Sequence, residues 1–143
     1  MHTSKCSAKN NHKKIKIHEA KSSTIYIENS NSEEYYLIKY DSCIVQNQEG
    51  ADYLISKVDL TSVCIIELKG SDVNKAFQQI STTTTNLKNT SFSKSKKSAI
   101  IVNTAWPKAS TSLQLLMQKY YSNHKGRLYA ARHLSSKQFS EIL

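Results

Sequence analysis

The sequence predicts an α/β fold in which a mixed central sheet is flanked by helices. Three β-prone runs come first, and the spacing of apolar residues then changes to a helical period from Asp72 onward. A short apolar run and a second helical stripe follow. Because a helix between two strands acts as a crossover, the strands on either side of the first helix are expected to be parallel neighbours. The predicted order is therefore β-β-β-α-β-α-β.

The strands are predicted from runs rich in aromatic and β-branched residues that end at polar turns. Residues 15–18 and 24–27 are β-prone and are expected to form an outer hairpin. The three core strands are expected at 35–45, 51–58 and 63–69, and the last is the most apolar of the three. Gly70 is expected to end it.

The first helix is predicted to begin at Ser71 or Asp72, either of which can accept hydrogen bonds from its free N–H groups. The threonines at 82–85 have poor helix propensity, which predicts fraying at the far end. An apolar strand is expected at 99–102. The apolar stripe of the second helix, from Leu113 to Tyr121, is expected to lie in the core, and a last strand is expected at 127–133.

The chain has 143 residues, a length that fits one domain. Residues 1–14 are polar and Lys-rich and are predicted to be a flexible basic arm, followed by a single domain over 15–143. No apolar run approaches the ~20 residues of a membrane span, and the first twenty residues lack the core of a signal peptide. We therefore expect a cytoplasmic protein without a membrane partner.

The three cysteines, Cys6, Cys43 and Cys64, are odd in number and have no recognisable spacing, which disfavours a disulfide framework. Cys6 could join His12 and His18 in a zinc cluster. That cluster would lack the C-x-x-C pair typical of zinc sites. A disordered Lys-rich arm is the preferred interpretation.

Charge is unevenly distributed along the chain. The formal net charge is +9, divided into +5 over residues 1–21, −6 over 22–72 and +10 over 73–143. Basic flanks indicate a polyanionic partner, most often nucleic acid. The acidic middle is either a solvated strand surface or a set of carboxylates that hold a metal.

Glu67 and Lys69 close the most apolar strand, and the alternation of side chains points both to one face. Charges in such a place require a reason, because burying an unpaired charge is costly. Asp52 can face the same cleft if its strand is a neighbour. Two carboxylates can hold Mg²⁺ or Mn²⁺, which polarises a phosphate and activates a bound water. Lys69 would orient that water or stabilise charge in the transition state.

Asp52, fourteen intervening residues and Glu67-Leu68-Lys69 resemble the PD-(D/E)xK nuclease superfamily, which includes restriction endonucleases and Holliday-junction resolvases. The resemblance implies a restriction-endonuclease-like core over roughly residues 35–133. It also implies that the helix after this motif carries a Gln facing the site, and Gln79 is preferred to Gln78 for this role.

The sequence departs from the family pattern in two places. Ala51 stands where many members have Pro, and residues 15–34 read as strand and loop where the family has a helix that donates a further Glu. The candidates for an additional acid are Glu33, Glu34 and Asp41. Of these, Asp41 is the best placed because it lies on or beside a core strand.

The leading hypothesis is a Mg²⁺-dependent nuclease, with DNA as the favoured substrate, that works in restriction, repair or phage defence. Lys94, Lys96 and Lys97 are its predicted nucleic-acid contacts. By analogy with other small members, it would act as a homodimer or beside a larger protein. The alternative is a catalytically inactive module of the same fold that binds nucleic acid or a protein.

Each candidate residue also has a simpler interpretation. Glu67 and Lys69 can form a surface ion pair worth about 0–1 kcal/mol. Asp52 can simply begin a strand after a turn, and Gln79 can be a solvated helix residue. The lysines at 94–97 can belong to a solvated loop. A general basic RNA-binding protein is a third possibility, but no RNA-binding signature supports it.

Overall fold

A computed structural model describes residues 5–20, 22–68, 72–104 and 111–143. Within these ranges the strands are β1 (Ser7–Asn10), β2 (Lys14–His18), β3 (Thr24–Glu28), β4 (Tyr35–Lys39), β5 (Tyr53–Lys57), β6 (Ser62–Glu67), β7 (Lys96–Asn103), β8 (Leu128–Arg132) and β9 (Ser136–Gln138). The helices are α1 (Val73–Leu87), α2 (Thr111–His124) and α3 (Phe139–Ile142). Lys69, Gly70 and Ser71 lie outside the described residues.

The larger sheet has six strands in the order β1-β4-β5-β6-β7-β8. The pairs from β1 to β6 are antiparallel, whereas β7 lies parallel to β6 and β8 lies parallel to β7. The two parallel connections are made by α1 and α2, as a crossover requires. The α/β class, the mixed sheet and the parallel pairing across the first helix are therefore confirmed, but the chain forms more strands than predicted.

The smaller sheet has the order β2-β3-β9 and includes the expected hairpin of β2 and β3. It packs with α3 on one face of the larger sheet, while α1 covers the other face. Every residue of β6 is buried between these layers. Val63 and Ile65 contact the α1 side, and Cys64 and Ile66 contact the opposite side. This two-sided burial explains why β6 is a continuous apolar run.

Helix α1 begins where the sequence predicted it, because the Asp72 carboxylate accepts a hydrogen bond from the Lys75 N–H at 3.1 Å. The expected fraying at the threonines does not occur. Thr83 and Thr84 are buried, and their hydroxyls donate to the carbonyls of Gln79 and Ile80 one turn earlier. These bonds satisfy the hydroxyls inside the core and let the helix continue to Leu87.

The apolar stripe of α2 is less buried than predicted. Tyr120 is fully buried and Leu116 and Met117 are partly buried, but Tyr121 is 60% exposed. The prediction that the whole stripe lies in the core is therefore wrong for Tyr121. The physical reason is position: α2 packs against β8 at one edge of the sheet and against α1, and Tyr121 points away from this packing.

Residues 5–14 also differ from the flexible arm that was predicted over 1–14. Ser7–Asn10 pairs with β4 and extends the sheet, and a disulfide joins Cys6 to Cys43 with 5.8 Å between their Cα atoms. The expectation that the cysteines form no disulfide is therefore wrong, because sequence spacing does not show which residues the fold brings together. Cys64 remains a buried thiol, and burial raises its pKa to about 12.

No helix in the described part of the chain is both long enough and apolar enough to span a membrane.

Reduction of the disulfide is expected to destabilise the protein. Cys6 and Cys43 are 37 residues apart, and closing a loop of that length lowers the entropy of the unfolded chain by an amount worth about 4 kcal/mol. Urea unfolding with and without reductant measures the loss. The variant with both Cys6→Ser and Cys43→Ser is the control, because reductant should leave its unfolding midpoint unchanged. If reductant leaves the unfolding midpoint of the wild-type protein unchanged, the disulfide is contradicted.

Gly126→Ala is expected to destabilise the fold by about 1–3 kcal/mol through overpacking. An added Cβ would lie 1.7 Å from the carbonyl oxygen of Lys97, which belongs to the backbone of β7 and cannot move aside. Gly50→Ala is the matched control. The atoms nearest its Cβ would belong to the side chains of Val45 and Tyr40, at 3.0 Å or more. Equal losses of unfolding free energy in the two variants would contradict this explanation.

Candidate active site

Asp52 and Glu67 face each other at one end of the antiparallel pair formed by β5 and β6. Tyr53 pairs with Ile66, so Asp52 and Glu67 occupy the next position outward on their two strands. Residues at facing positions point to the same side of a sheet, with Cβ atoms roughly 4.5–5.5 Å apart. The register therefore brings together the two carboxylates that the sequence singled out.

Both carboxylates are withdrawn from solvent on the side of the sheet that α1 covers. Asp52 is 1% exposed and Glu67 is 2% exposed. Leu54 and Ile65, two residues inward on each strand, pack in the cluster that contains α1. The Leu68 N–H donates to Oδ2 of Asp52 at 2.7 Å, a hydrogen bond that favours the ionised carboxylate. Two carboxylates at facing positions supply oxygen ligands of the kind that a divalent cation takes.

The start of β5 is held by contacts from β4 and from α1. The Tyr40 N–H donates to the carbonyl of Asp52 at 3.0 Å, and the Ala51 N–H donates to Oγ1 of Thr83 at 2.8 Å. Thr82 donates from its hydroxyl to the Glu49 carboxylate in the preceding turn. These bonds fix the backbone on either side of Asp52, so its carboxylate is positioned by ordered structure.

Gln79 lies one helical turn before Thr83, whose hydroxyl accepts the hydrogen bond from Ala51. Residues four apart share a helix face, so Gln79 is on the flank of α1 that runs along the start of β5. Gln79 is half-buried, whereas Gln78 is exposed. Of the two candidates, Gln79 is the one that shares a helix face with Thr83, which bonds the start of β5.

The lysines predicted to contact nucleic acid lie away from the carboxylates. Lys96 pairs with Ser62 at the first position of β6, whereas Glu67 is at the last. At ~3.3 Å per residue the two ends of β6 are roughly 16 Å apart. The structure therefore does not bring Lys94, Lys96 or Lys97 to Asp52. Lys69, the predicted catalytic lysine, lies outside the described residues.

Lys97 is used inside the fold. Its side chain is largely buried, and Nζ donates to the carbonyls of Ser93 and Ser95 at 3.2 and 2.9 Å. Burial, together with the positive charge of Lys88, lowers the pKa of this ammonium. Lys94 and Lys96 are exposed. Of the three predicted contacts, these two are the ones a polyanion can reach.

The candidates for an additional acid are placed apart from one another. Asp41 follows β4, where its N–H donates to the carbonyl of Ala51, while Glu33 and Glu34 precede β4 at its other end. Across the described ranges, no group of three or more His, Cys, Asp or Glu side chains could hold a metal ion. Asp41 therefore does not complete a three-acid cluster with Asp52 and Glu67, and the disulfide removes Cys6 from any zinc cluster.

Two further polar features near this end of the sheet were missed from the sequence. Asn103 is buried at the end of β7, the strand beside β6. Glu19 forms an ion pair with Lys39, and Asp52 contributes with it to raising the pKa of Lys39 against the opposing effect of burial. The signal for Asn103 was a polar residue directly after an apolar strand. The ion pair had no signal in the sequence, because Glu19 follows β2 of the smaller sheet whereas Lys39 lies in β4 of the larger one.

No family model matches this chain, and no curated protein or solved structure matches it at a significant level. Its function is therefore inferred from the placement of Asp52 and Glu67.

Mg²⁺ is expected to stabilise the protein by binding the facing carboxylates. At ten times its Kd the ion would add about 1.4 kcal/mol to the free energy of unfolding. That gain corresponds to roughly 5 °C in Tm for a domain of this size. Thermal unfolding with and without Mg²⁺ measures the shift. Asp52→Asn and Glu67→Gln should both abolish it.

Glu49→Gln is the matched control for this experiment, because Glu49 is an exposed acid in the turn before β5. A glutamine there can still accept the hydrogen bond from Thr82. A Mg²⁺-dependent shift that survives in Glu67→Gln but disappears in Glu49→Gln would place the ion elsewhere.

Proposed function

We propose that this chain is a Mg²⁺-dependent nuclease of the PD-(D/E)xK type that hydrolyses phosphodiester bonds in DNA. The observation that carries the proposal is the pair of buried carboxylates, Asp52 and Glu67, at facing positions on two adjacent strands. The order of elements from β4 to β8 is compatible with a restriction-endonuclease-like core, since it runs strand, strand, strand, helix, strand, helix, strand.

The residues present suit a hard divalent cation. Asp52 and Glu67 supply carboxylate oxygens, which Mg²⁺ prefers, and two carboxylates leave room for the waters that Mg²⁺ retains. The Leu68 N–H donates to Oδ2 of Asp52, which holds this carboxylate at the start of β5. When bound, such an ion polarises a phosphate and lowers the pKa of a water.

The remaining roles follow from position along the chain. Lys69 is two residues beyond Glu67, and alternation along an extended chain would point both side chains to one face. An ammonium there would position the attacking water and stabilise the negative charge that develops on the phosphate. Gln79, on the flank of α1 beside the start of β5, would hold the substrate or the water through its amide.

The second candidate function is a non-catalytic module of the same fold that binds nucleic acid or a protein partner. The observation in its favour is that no third acid joins Asp52 and Glu67 among the described residues. A member of this kind would keep the buried carboxylates for the fold alone and would bind its partner without cutting it.

The decisive experiment is a cleavage assay with Mg²⁺ or Mn²⁺ on supercoiled, linear duplex and single-stranded DNA, with RNA as the comparison. Glu67→Gln and Lys69→Ala should each lower the cleavage rate by at least about 100-fold, because each removes a group that acts in the chemical step. EDTA should stop cleavage by the wild-type protein.

Glu49→Gln and Lys16→Ala serve as controls, since both residues are exposed and lie outside the proposed site. Both variants should cut at the wild-type rate. Metal-dependent cleavage that persists in Glu67→Gln would reject the proposal. Nucleic-acid binding without any cleavage, unchanged by Glu67→Gln, would instead support the non-catalytic module.

A further inference from the structure

We infer that a groove along β8, away from the candidate active site, binds single-stranded DNA. The groove lies between α2, the β8 edge of the larger sheet, and β9. It has a volume of about 570 Å³ and adjoins a second cavity of about 340 Å³. The two share Tyr121, Gly126, Arg127 and Tyr129, so together they form one continuous surface.

The floor of the groove is apolar and one wall is aromatic. Met117, Leu128 and Ala130 line the floor, and Tyr121 stands beside them with 60% of its surface exposed. Tyr129 is held in place, because its hydroxyl donates to the Glu141 carbonyl at 3.1 Å and Lys137 lies over its ring. The exposed ring of Tyr121 beside an apolar floor suits an unstacked base, which every single-stranded nucleic acid can present.

The rim of the groove is basic. Lys96, Lys125, Arg127 and Lys137 line it, and the acidic side chain that accompanies them is Glu141. Glu141 is also the single acid of residues 73–143, which contain eleven Lys or Arg. Such a rim attracts the phosphates of a nucleic-acid backbone. The combination of phosphate-binding rim and base-stacking wall is the one used for single strands.

Charge and chemistry select among the alternative occupants. A second copy related by twofold symmetry would bring the same basic rim against itself, so like charges oppose a dimer through this face. Duplex DNA keeps its bases stacked and would leave the apolar floor unused. The floor residues Met117, Leu128 and Ala130 can contact the C5-methyl group of thymine, which uracil lacks, and this favours DNA over RNA. This binding surface is separate from the proposed cleavage site, and binding to it does not depend on catalysis.

Binding is tested by fluorescence anisotropy in EDTA, with a labelled oligothymidylate about 15 nucleotides long. A duplex and an oligouridylate of the same length are the comparisons. The wild-type protein should bind the single-stranded DNA more tightly than either. Tyr121→Ala should weaken binding by about 5- to 150-fold, the usual cost of losing one base–aromatic stack. Arg127→Gln should reduce the salt dependence by about 0.7 in the slope of log K against log salt.

Matched controls separate the groove from general effects. Leu134→Ala removes a side chain as exposed as Tyr121, and Lys16→Gln removes a positive charge from β2 in the smaller sheet. Both should bind like the wild type, and circular dichroism should show that all four variants are folded. Glu67→Gln should also retain binding, so a failure of the nuclease proposal and a failure of this one give different results.

Four outcomes would overturn the inference. Equal or tighter binding of the duplex would show that binding does not use unstacked bases. Wild-type affinity in Tyr121→Ala would show that the groove is not the site, and tighter binding of oligouridylate would assign it to RNA. Sedimentation that reveals a dimer dissociated by Tyr121→Ala would make the groove a self-association surface.

Discussion

The antiparallel register between β5 and β6 is the constraint on which the rest of the structure depends. β6 is buried on both faces, so its residues alternate between the cluster under α1 and the cluster under the smaller sheet. A slip of one residue would turn Asp52 and Glu67 to opposite faces of the sheet. The same packing that stabilises the core therefore also sets the geometry of the candidate site.

Placing two acids at the end of such a strand works against folding. Like charges at facing positions repel, and burial removes the water that would screen them. The fold supports this arrangement with a backbone donor to Asp52 and with the bonds that tie Ala51 to α1. Local rules are most often broken where a protein performs its function. For this reason the buried pair is stronger evidence for a functional site than the surrounding surface charge is.

In the structure, the acidic and the basic parts of the sequence lie in different places. The acidic middle contains β4, β5 and β6, with both carboxylates at one end of the strands. The basic last part contains α2 and β8, whose groove lies toward the other end near Lys96. A polyanion would thus meet a basic surface separated from the acids, so attraction to the chain would not be cancelled at its point of contact.

The sequence by itself determined the α/β class, the crossover of α1, a cap at Ser71 or Asp72 and the choice of Asp52 and Glu67 as candidates. These follow from periodicity and alternation, which are local properties of the chain. Only the tertiary structure decided that Cys6 meets Cys43, that Lys97 is buried on carbonyls, and that Tyr121 faces solvent. Each of these depends on which distant segments share a layer or an edge. The sequence around each residue does not indicate these contacts, because they form only after the sheets have assembled.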